Sequence, residues 1–127
     1  MAQAKAKTIQ IIFVKENNIG YLLEGEELQK YNVLHNQAIA IYKKHKGMIE
    51  RISGKKVTCQ IIEIEDNEQV QYSDIPTNRI VIIKNDGTAL LLQSTAFKNY
   101  QEYHFDGLAL LGRKQDMKGR LVKVAIT

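Results

Sequence analysis

The chain has 127 residues, of which 44% are hydrophobic and 25% charged, so it is long enough for one globular domain with its own core. These proportions exclude an intrinsically disordered tail, and no apolar run approaches the ~20 residues that a membrane-spanning helix needs. The net charge of +4 is unevenly spread, because residues 1–60 and 113–127 are basic whereas residues 61–112 are acidic. Such segregation can make one face of a domain attractive to polyanions.

The chain opens with a predicted disordered leader at residues 1–7, and residues 8–127 are predicted to form a single domain. Residues 8–15 (TIQIIFVK) have apolar side chains at both odd and even positions, which predicts a strand covered on both faces. An asparagine-rich turn at 16–18 and a second strand at 19–24 complete a hairpin.

The strongest pattern is residues 34–53, where apolar side chains recur at steps of three and four. They form a stripe about 140° wide, as expected of a helix lying on a core. The predicted helix begins near residue 36, after a short helical turn at 26–31 and a break, and ends at Ser53. Gly47 is the position at which this helix is most easily interrupted, and His45 is predicted to be partly buried.

Residues 55–65 read as a strand in which Val57, Cys59 and Ile61 point to one side. Ile62 and Ile64 then point to the other side, which predicts a bulge or burial on both faces. A shorter, more polar strand is predicted around 70–72.

The clearest hairpin joins residues 79–84 and 88–93 through the loop Asn85-Asp86-Gly87. Continuous apolar runs in both segments indicate central strands rather than edge strands.

Ser94 is predicted to cap a second helix, with Phe97, Tyr100 and His104 on one side. Asp106-Gly107 reads as a turn before a strand at 108–111, and residues 120–126 as a closing strand. No internal repeat is evident. The order ββ-α-ββ-ββ-α-ββ predicts an α+β domain with a mostly antiparallel sheet or small open barrel, packed against one long amphipathic helix.

Catalysis and metal binding find little support, so we expect a non-enzymatic protein with no cofactor. Cys59 lies in mid-strand as an inert core thiol, and His35, His45 and His104 are not paired with a carboxylate at motif spacing. Zinc, calcium and phosphate-loop spacings are absent. The single cysteine and the lack of a secretory signal predict a cytoplasmic protein.

Two groups of basic residues are the best functional lead, one along and after the long helix and one in the C-terminal polar loop and last strand. Affinity for polyanions grows with the number of phosphates neutralised, and single-stranded nucleic acid also stacks on flat rings. The predicted nucleic-acid-binding residues are Lys43, Lys44, Lys46, Arg51, Lys55, Lys56, Tyr100, Tyr103, Arg113, Lys114, Lys118 and Arg120.

The leading hypothesis is a domain that binds RNA or single-stranded DNA, with no membrane partner. The alternative is a protein-binding adaptor or inhibitor, or a homodimer, from a phage or mobile element, acting through a strand edge or the acidic residues 63–74. A third interpretation leaves the aromatic residues in the core and the lysines as ordinary solvated charges. Proximity of the Lys43 and Arg113 groups in the fold would favour nucleic-acid binding.

Overall fold

The computed structural model describes residues 7–47, 52, 54–64, 69–71, 77–113 and 118–127. They form an α+β domain in which every strand pair is antiparallel, as predicted. The elements are β1 Thr8–Val14, β2 Ile19–Glu24, α1 Gly25–Lys46, β3 Lys55–Val57, β4 Cys59–Glu63, β5 Gln69–Gln71, β6 Arg79–Lys84, β7 Ala89–Leu92, α2 Ser94–Leu111 and β8 Lys118–Ile126.

The sheet has the strand order β3-β7-β6-β1-β2-β8-β4, with β5 also paired to β8. β3 and β4 lie at opposite ends of this order, yet only Thr58 separates them along the chain. Thr58 itself exchanges two backbone hydrogen bonds of 2.9 Å with Thr127, beyond the end of β8. The sheet is therefore curled into a barrel-like shell whose two ends meet in one continuous stretch of chain.

Both faces of the curled sheet are buried, which explains the continuous apolar runs in the strands. Ile12, Leu22 and Val81 belong to the core inside the curl. Ile11 and Phe13 alternate with them and contact the two helices outside it. The prediction that the first strand is covered on both faces is confirmed.

An internal repeat, which we did not expect from the sequence, relates the two halves of the chain at a spacing of 69 residues. Ile12 in β1 pairs with its own counterpart Val81 in β6. On either side of that pair the partners are exchanged, because Ile11 pairs with Ile82 and Phe13 with Ile80. Up to the end of α1, the positions that are identical at this spacing are Thr8/Thr77, Ile11/Ile80, Lys15/Lys84, Leu22/Leu91, Leu23/Leu92, Tyr31/Tyr100, His35/His104 and Ala40/Ala109.

The strand that follows the helix in each half pairs with the other half, and in these strands equivalent positions are 65 rather than 69 residues apart. Val57 in β3 pairs with Ala89, and Val122 in β8 pairs with Gly20, which is the counterpart of Ala89. The same segments carry Gly54 and Gly119, which lie against equivalent parts of β7 and β2. The fold is thus two ββαβ units related by an approximate internal twofold axis.

α1 departs from its predicted boundaries at both ends. It begins at Gly25 and continues without the predicted break, because Val33 is 59% exposed and Asn36 lies on the same solvent side. It ends at Lys46, where Gly47 adopts φ 88°, and Ile52 is not helical. His45 is exposed rather than partly buried, because it lies in the last turn of the helix, beyond the core.

α2 runs through the predicted turn at Asp106-Gly107, and residues 108–111 are helical rather than a strand. Glycine is needed there because Gly107 packs against the backbone of Ala38. The predicted cap is also wrong, since Gln93 is the N-cap residue and makes no side-chain capping bond, while Ser94 is already within the helix.

Over residues 55–64, the described part of the strand predicted at 55–65, the buried side does not reverse. Val57, Cys59 and Ile61 all contact the core inside the curl, and Ile62 is 45% exposed. The predicted bulge or double burial at that point is therefore wrong. The predicted hairpin loop is confirmed, because Gly87 has φ 87° and donates its N–H to the carbonyl of Lys84 at 3.0 Å.

Candidate functional site

The two helices pack against each other in parallel, with equivalent residues of the two repeats in contact. Tyr31 meets Tyr100, His35 meets His104, and Ala38 meets Gly107. Because every one of these contacts joins positions 69 apart, the helices run alongside the internal twofold axis. Their C-terminal ends consequently lie at the same end of the molecule.

A buried cluster of tyrosine and histidine side chains lies between the helices. The hydroxyl groups of Tyr31 and Tyr100 share a hydrogen bond, and the Nδ1 atoms of His35 and His104 are 2.9 Å apart. The His35 ring stacks on Tyr100 with 4.8 Å between centroids, and His104 is only 2% exposed. Buried polar groups paired in this way fix the register of one helix against the other.

The surroundings of His35 favour its neutral form. Burial, followed by the facing His104, lowers the pKa of His35 to about 4. A 2.9 Å contact between the two Nδ1 atoms requires one of them to donate and the other to accept.

The predicted lysines of α1 lie at the shared C-terminal end of the helix pair. Lys43, Lys44 and Lys46 are exposed in the last turn of α1, and Arg113 is exposed immediately after α2. No carboxylate among the described residues forms an ion pair with any of the four. We call these four residues the basic end.

Lys55 and Lys56 are also exposed, but they lie elsewhere. They pair with Leu91 and Leu90 in β7, just before α2 begins at Ser94. The 18 residues of α2 span about 27 Å, so this second basic pair lies towards the opposite end of the helices. The sequence suggested one continuous group, and the fold divides it.

Arg120 is not available to a ligand in the way that the sequence suggested. Its guanidinium donates to Glu63 at 2.7 Å and to Glu24, and its side chain is 29% exposed. Both carboxylates are distant in sequence, which is why the pattern of basic residues gave no indication of them. The charge of Arg120 is matched within the fold.

Tyr100 and Tyr103 cannot serve as predicted stacking platforms, because they are 7% and 6% exposed and their rings face the interior. Of the remaining predicted residues, Arg51 and Lys114 lie outside the described residues. Lys118 is described by its backbone alone, as the first residue of β8.

Sequence reasoning missed the cross-helix cluster, although a signal for it was present. The segments YNVLH and YQEYH each place a tyrosine four residues before a histidine, 69 positions apart. The interpretation that leaves the aromatic residues in the core does not hold for Phe105, which is 37% exposed on α2, where Leu110 is 41% exposed.

The fold adds little support for catalysis by Cys59, for metal binding or for an acidic binding surface. Cys59 is half-buried, and burial raises the pKa of its thiol, which disfavours the reactive thiolate. Within the described ranges, no group of three His, Cys, Asp or Glu side chains is arranged to hold a metal ion. Of the acidic residues behind the alternative hypothesis, Glu63 is paired with Arg120, and Glu65, Asp66, Glu68 and Asp74 lie outside the described residues.

Comparison with protein-family models, with curated proteins and with solved structures finds no match to this chain. Neither described helix combines the length and the apolar character needed to cross a membrane.

Proposed function

We propose that this protein is a non-enzymatic, cytoplasmic nucleic-acid-binding domain whose basic end contacts the phosphate backbone. The observation that carries the proposal is that Lys43, Lys44, Lys46 and Arg113 converge on one end of the helix pair without an ion pair to a described carboxylate. Cations that are not already matched by the protein can release counterions from phosphates, and this release is the main source of affinity for nucleic acid.

Phosphate contacts, rather than base stacking, carry the proposed binding. Tyr100 and Tyr103 are buried, so their rings cannot stack on the bases of a single strand. Phosphate contacts position a ligand without reading its sequence. We therefore expect similar affinity for oligonucleotides of equal length and different sequence.

Lysines in the last turn of a helix also stabilise it, by about 0.3–1 kcal/mol each, through its dipole. This role and the proposed one predict different results. If Lys43 and Lys44 act only on the helix, their replacement lowers stability and leaves binding as it was.

The experiment compares two double variants that remove the same charge. Lys43→Gln/Lys44→Gln alters the basic end, and Lys55→Gln/Lys56→Gln alters the distant pair on β3. Binding of labelled RNA, single-stranded DNA and duplex DNA is followed by fluorescence anisotropy at low salt. The first variant should lower the dependence of log K on log salt by about 1.4–1.8, and the second should leave it unchanged.

The absence of binding by every oligonucleotide contradicts the proposal. If the two variants weaken oligonucleotide binding equally, the attraction depends on net charge and the basic end is not the binding site.

Protein binding is a second candidate, favoured by Phe105 and Leu110, which expose apolar surface on the same helix. The strand-edge form of this idea has less support, because β3 and β4 are only 3 and 5 residues long. Sedimentation tests the homodimeric form: a concentration-dependent dimer that is lost in Phe105→Ser/Leu110→Ser supports it, and a monomer at all concentrations excludes it.

A further inference from the structure

The two repeats meet at a pair of identical side chains on the internal twofold axis. His35 and His104 face each other through their Nδ1 atoms at 2.9 Å, with 5.0 Å between ring centroids. Tyr100 stacks on His35, and Tyr31 lies 5.1 Å from His104 between centroids. The pair is thus enclosed at the interface between α1 and α2.

The hydrogen bond between the two rings limits how many protons they can hold. One ring carries its proton on Nδ1 and donates it, and the other carries its proton on Nε2 and accepts. A first additional proton can enter at Nε2 of the donor ring, where it creates a buried charge. A second would make two N–H groups point at each other across 2.9 Å, and the hydrogen bond would be lost.

We propose that this histidine pair is a proton-binding site that opens the helix pair in mildly acidic solution. Uptake of protons by His35 and His104 separates α1 from α2, while the curled sheet remains folded. Part of a domain can open locally below the free energy of global unfolding. The sheet has its own core inside the curl, which does not include the helices.

The groups that face His35 and His104 determine whether protonation favours the closed or the open helix pair. Titratable neighbours of the pair include Tyr31 on α1 and Tyr100 on α2, and β1 contributes the ring of Phe13 against Tyr31. The α2 carboxylate of Glu102 accepts a hydrogen bond from the Tyr42 hydroxyl, and burial, followed by the charges of Glu102 and Asp106, raises the pKa of Tyr42.

The linkage between protonation and opening follows from the lowered pKa of His35, about 4 in the closed structure. An opened histidine returns towards its ordinary pKa of about 6.5, so it takes up a proton more readily than the closed one. From about pH 6.5 down to about 4, each proton taken up favours opening about tenfold per pH unit. The closed form is fully favoured above this window.

Amide hydrogen exchange of the full chain, read by mass spectrometry from pH 7.5 to 5.0, tests the proposal. Protection factors, corrected for the intrinsic effect of pH, should fall below pH 6.5 in α1 and α2, by about tenfold per unit for one proton taken up and about a hundredfold for two, and stay constant in β1 and β6. Constant protection in the helices, or loss of protection in helices and sheet together, would overturn it.

The double variant His35→Phe/His104→Phe keeps two stacked rings and removes both titrating groups. Its helices should show protection that does not vary over this pH range, whereas His45→Gln, which alters an exposed histidine of α1, should behave as the wild type. Loss of protection with falling pH that persists in the double variant contradicts the proposal.

If the double variant fails to fold, nitrogen NMR spectra of the imidazole rings in the wild-type protein test the proposal instead. At pH 7.5 they should show one Nδ1–H and one Nε2–H tautomer in the pair. On acidification both rings should take up protons only together with the loss of helix protection. Titration of either ring while the helices stay protected overturns the proposal.

Discussion

Gly107 of α2 lies against the backbone of Ala38 of α1 so closely that a Cβ at Gly107 would overlap the Ala38 carbonyl group. Alanine favours a helix by about 1 kcal/mol over glycine, so Gly107→Ala would stabilise an isolated helix. Overlap with backbone atoms cannot be relieved by rotating a side chain, and overpacking of this kind costs about 1–3 kcal/mol or more. We expect a net loss of stability in urea unfolding.

Ala109→Ser is the matched control, because Ala109 lies on the exposed side of the same helix. It should change the free energy of unfolding by less than about 0.5 kcal/mol. A Gly107→Ala protein as stable as the wild type would show that the helices do not approach this closely.

The hydrogen bond between the Tyr31 and Tyr100 hydroxyls is tested by a double-mutant cycle. Tyr31→Phe and Tyr100→Phe should each lower stability by about 1 kcal/mol, the net value of a typical hydrogen bond. Because both remove one shared interaction, the double variant should be about 0.5–1.5 kcal/mol more stable than the sum of the single effects predicts. Additive effects would mean that the two hydroxyls do not interact.

The strands were predictable from the sequence because each apolar run is bounded by turn residues, as at Asn85-Asp86-Gly87. Their arrangement was not, since no local pattern shows that β3 and β4 join opposite ends of the sheet. The extent of the helices was misjudged where a tertiary contact overrides propensity. Gly107 reads as a turn residue, but it is required by the backbone of Ala38.

The basic end was predictable in part, because Lys43, Lys44 and Lys46 follow the exposed side of a recognisable helix. Proximity to Arg113 depends on the parallel packing of two helices, which the sequence shows only through the repeated Tyr–His spacing. Arg120 resembles the other cations in sequence, and its partner Glu24 is 96 positions away. Whether a cation is matched by the protein's own carboxylates is therefore a tertiary property.

Gly54 and Gly119 test the internal twofold relationship, because they occupy equivalent places in the two repeats. A Cβ at Gly119 would overlap the carbonyl oxygen of Leu22, and a Cβ at Gly54 would lie 2.9 Å from the Cβ of Leu90. Both Gly119→Ala and Gly54→Ala should lower stability, by about 1–3 kcal/mol for the first and less for the second.

The ranking of these two variants follows from what each methyl group meets. The overlap is larger at Gly119, where the added methyl group meets a carbonyl oxygen, whereas at Gly54 the Cβ of Leu90 is 2.9 Å away and a smaller shift of the sheet relieves the contact. The exposed Ala109→Ser protein again serves as the reference in thermal unfolding. Wild-type stability in both glycine variants would contradict the equivalent close approaches.

The ion pair of Arg120 with Glu24 predicts a loss of stability in acid. A hydrogen bond from Gln10, opposed in part by burial and reinforced by Arg120, lowers the pKa of Glu24. A carboxyl group with a lowered pKa contributes stability above its unfolded value, about 4.5, and loses that contribution as the pH falls through the folded value. Since Glu24 is 38% exposed, we expect Arg120→Gln to cost less than about 1 kcal/mol at pH 7.

Urea unfolding of this variant and the wild type at pH 7 and near pH 3 gives the comparison. The difference in the free energy of unfolding should be present at pH 7 and smaller near pH 3. Arg113→Gln removes an exposed cation and should show no such dependence on pH. A difference for Arg120→Gln that stays constant with pH would mean that its effect is packing and not charge.

The salt dependence of oligonucleotide binding by the wild-type protein tests most directly whether the basic end meets phosphate. If Lys43, Lys44, Lys46 and Arg113 each neutralise one phosphate, a plot of log K against log salt should have a slope of about −3, with 0.7–0.9 for each contact. A slope near zero, or no binding at low salt, would contradict the account and leave these four cations as solvated ends of helices.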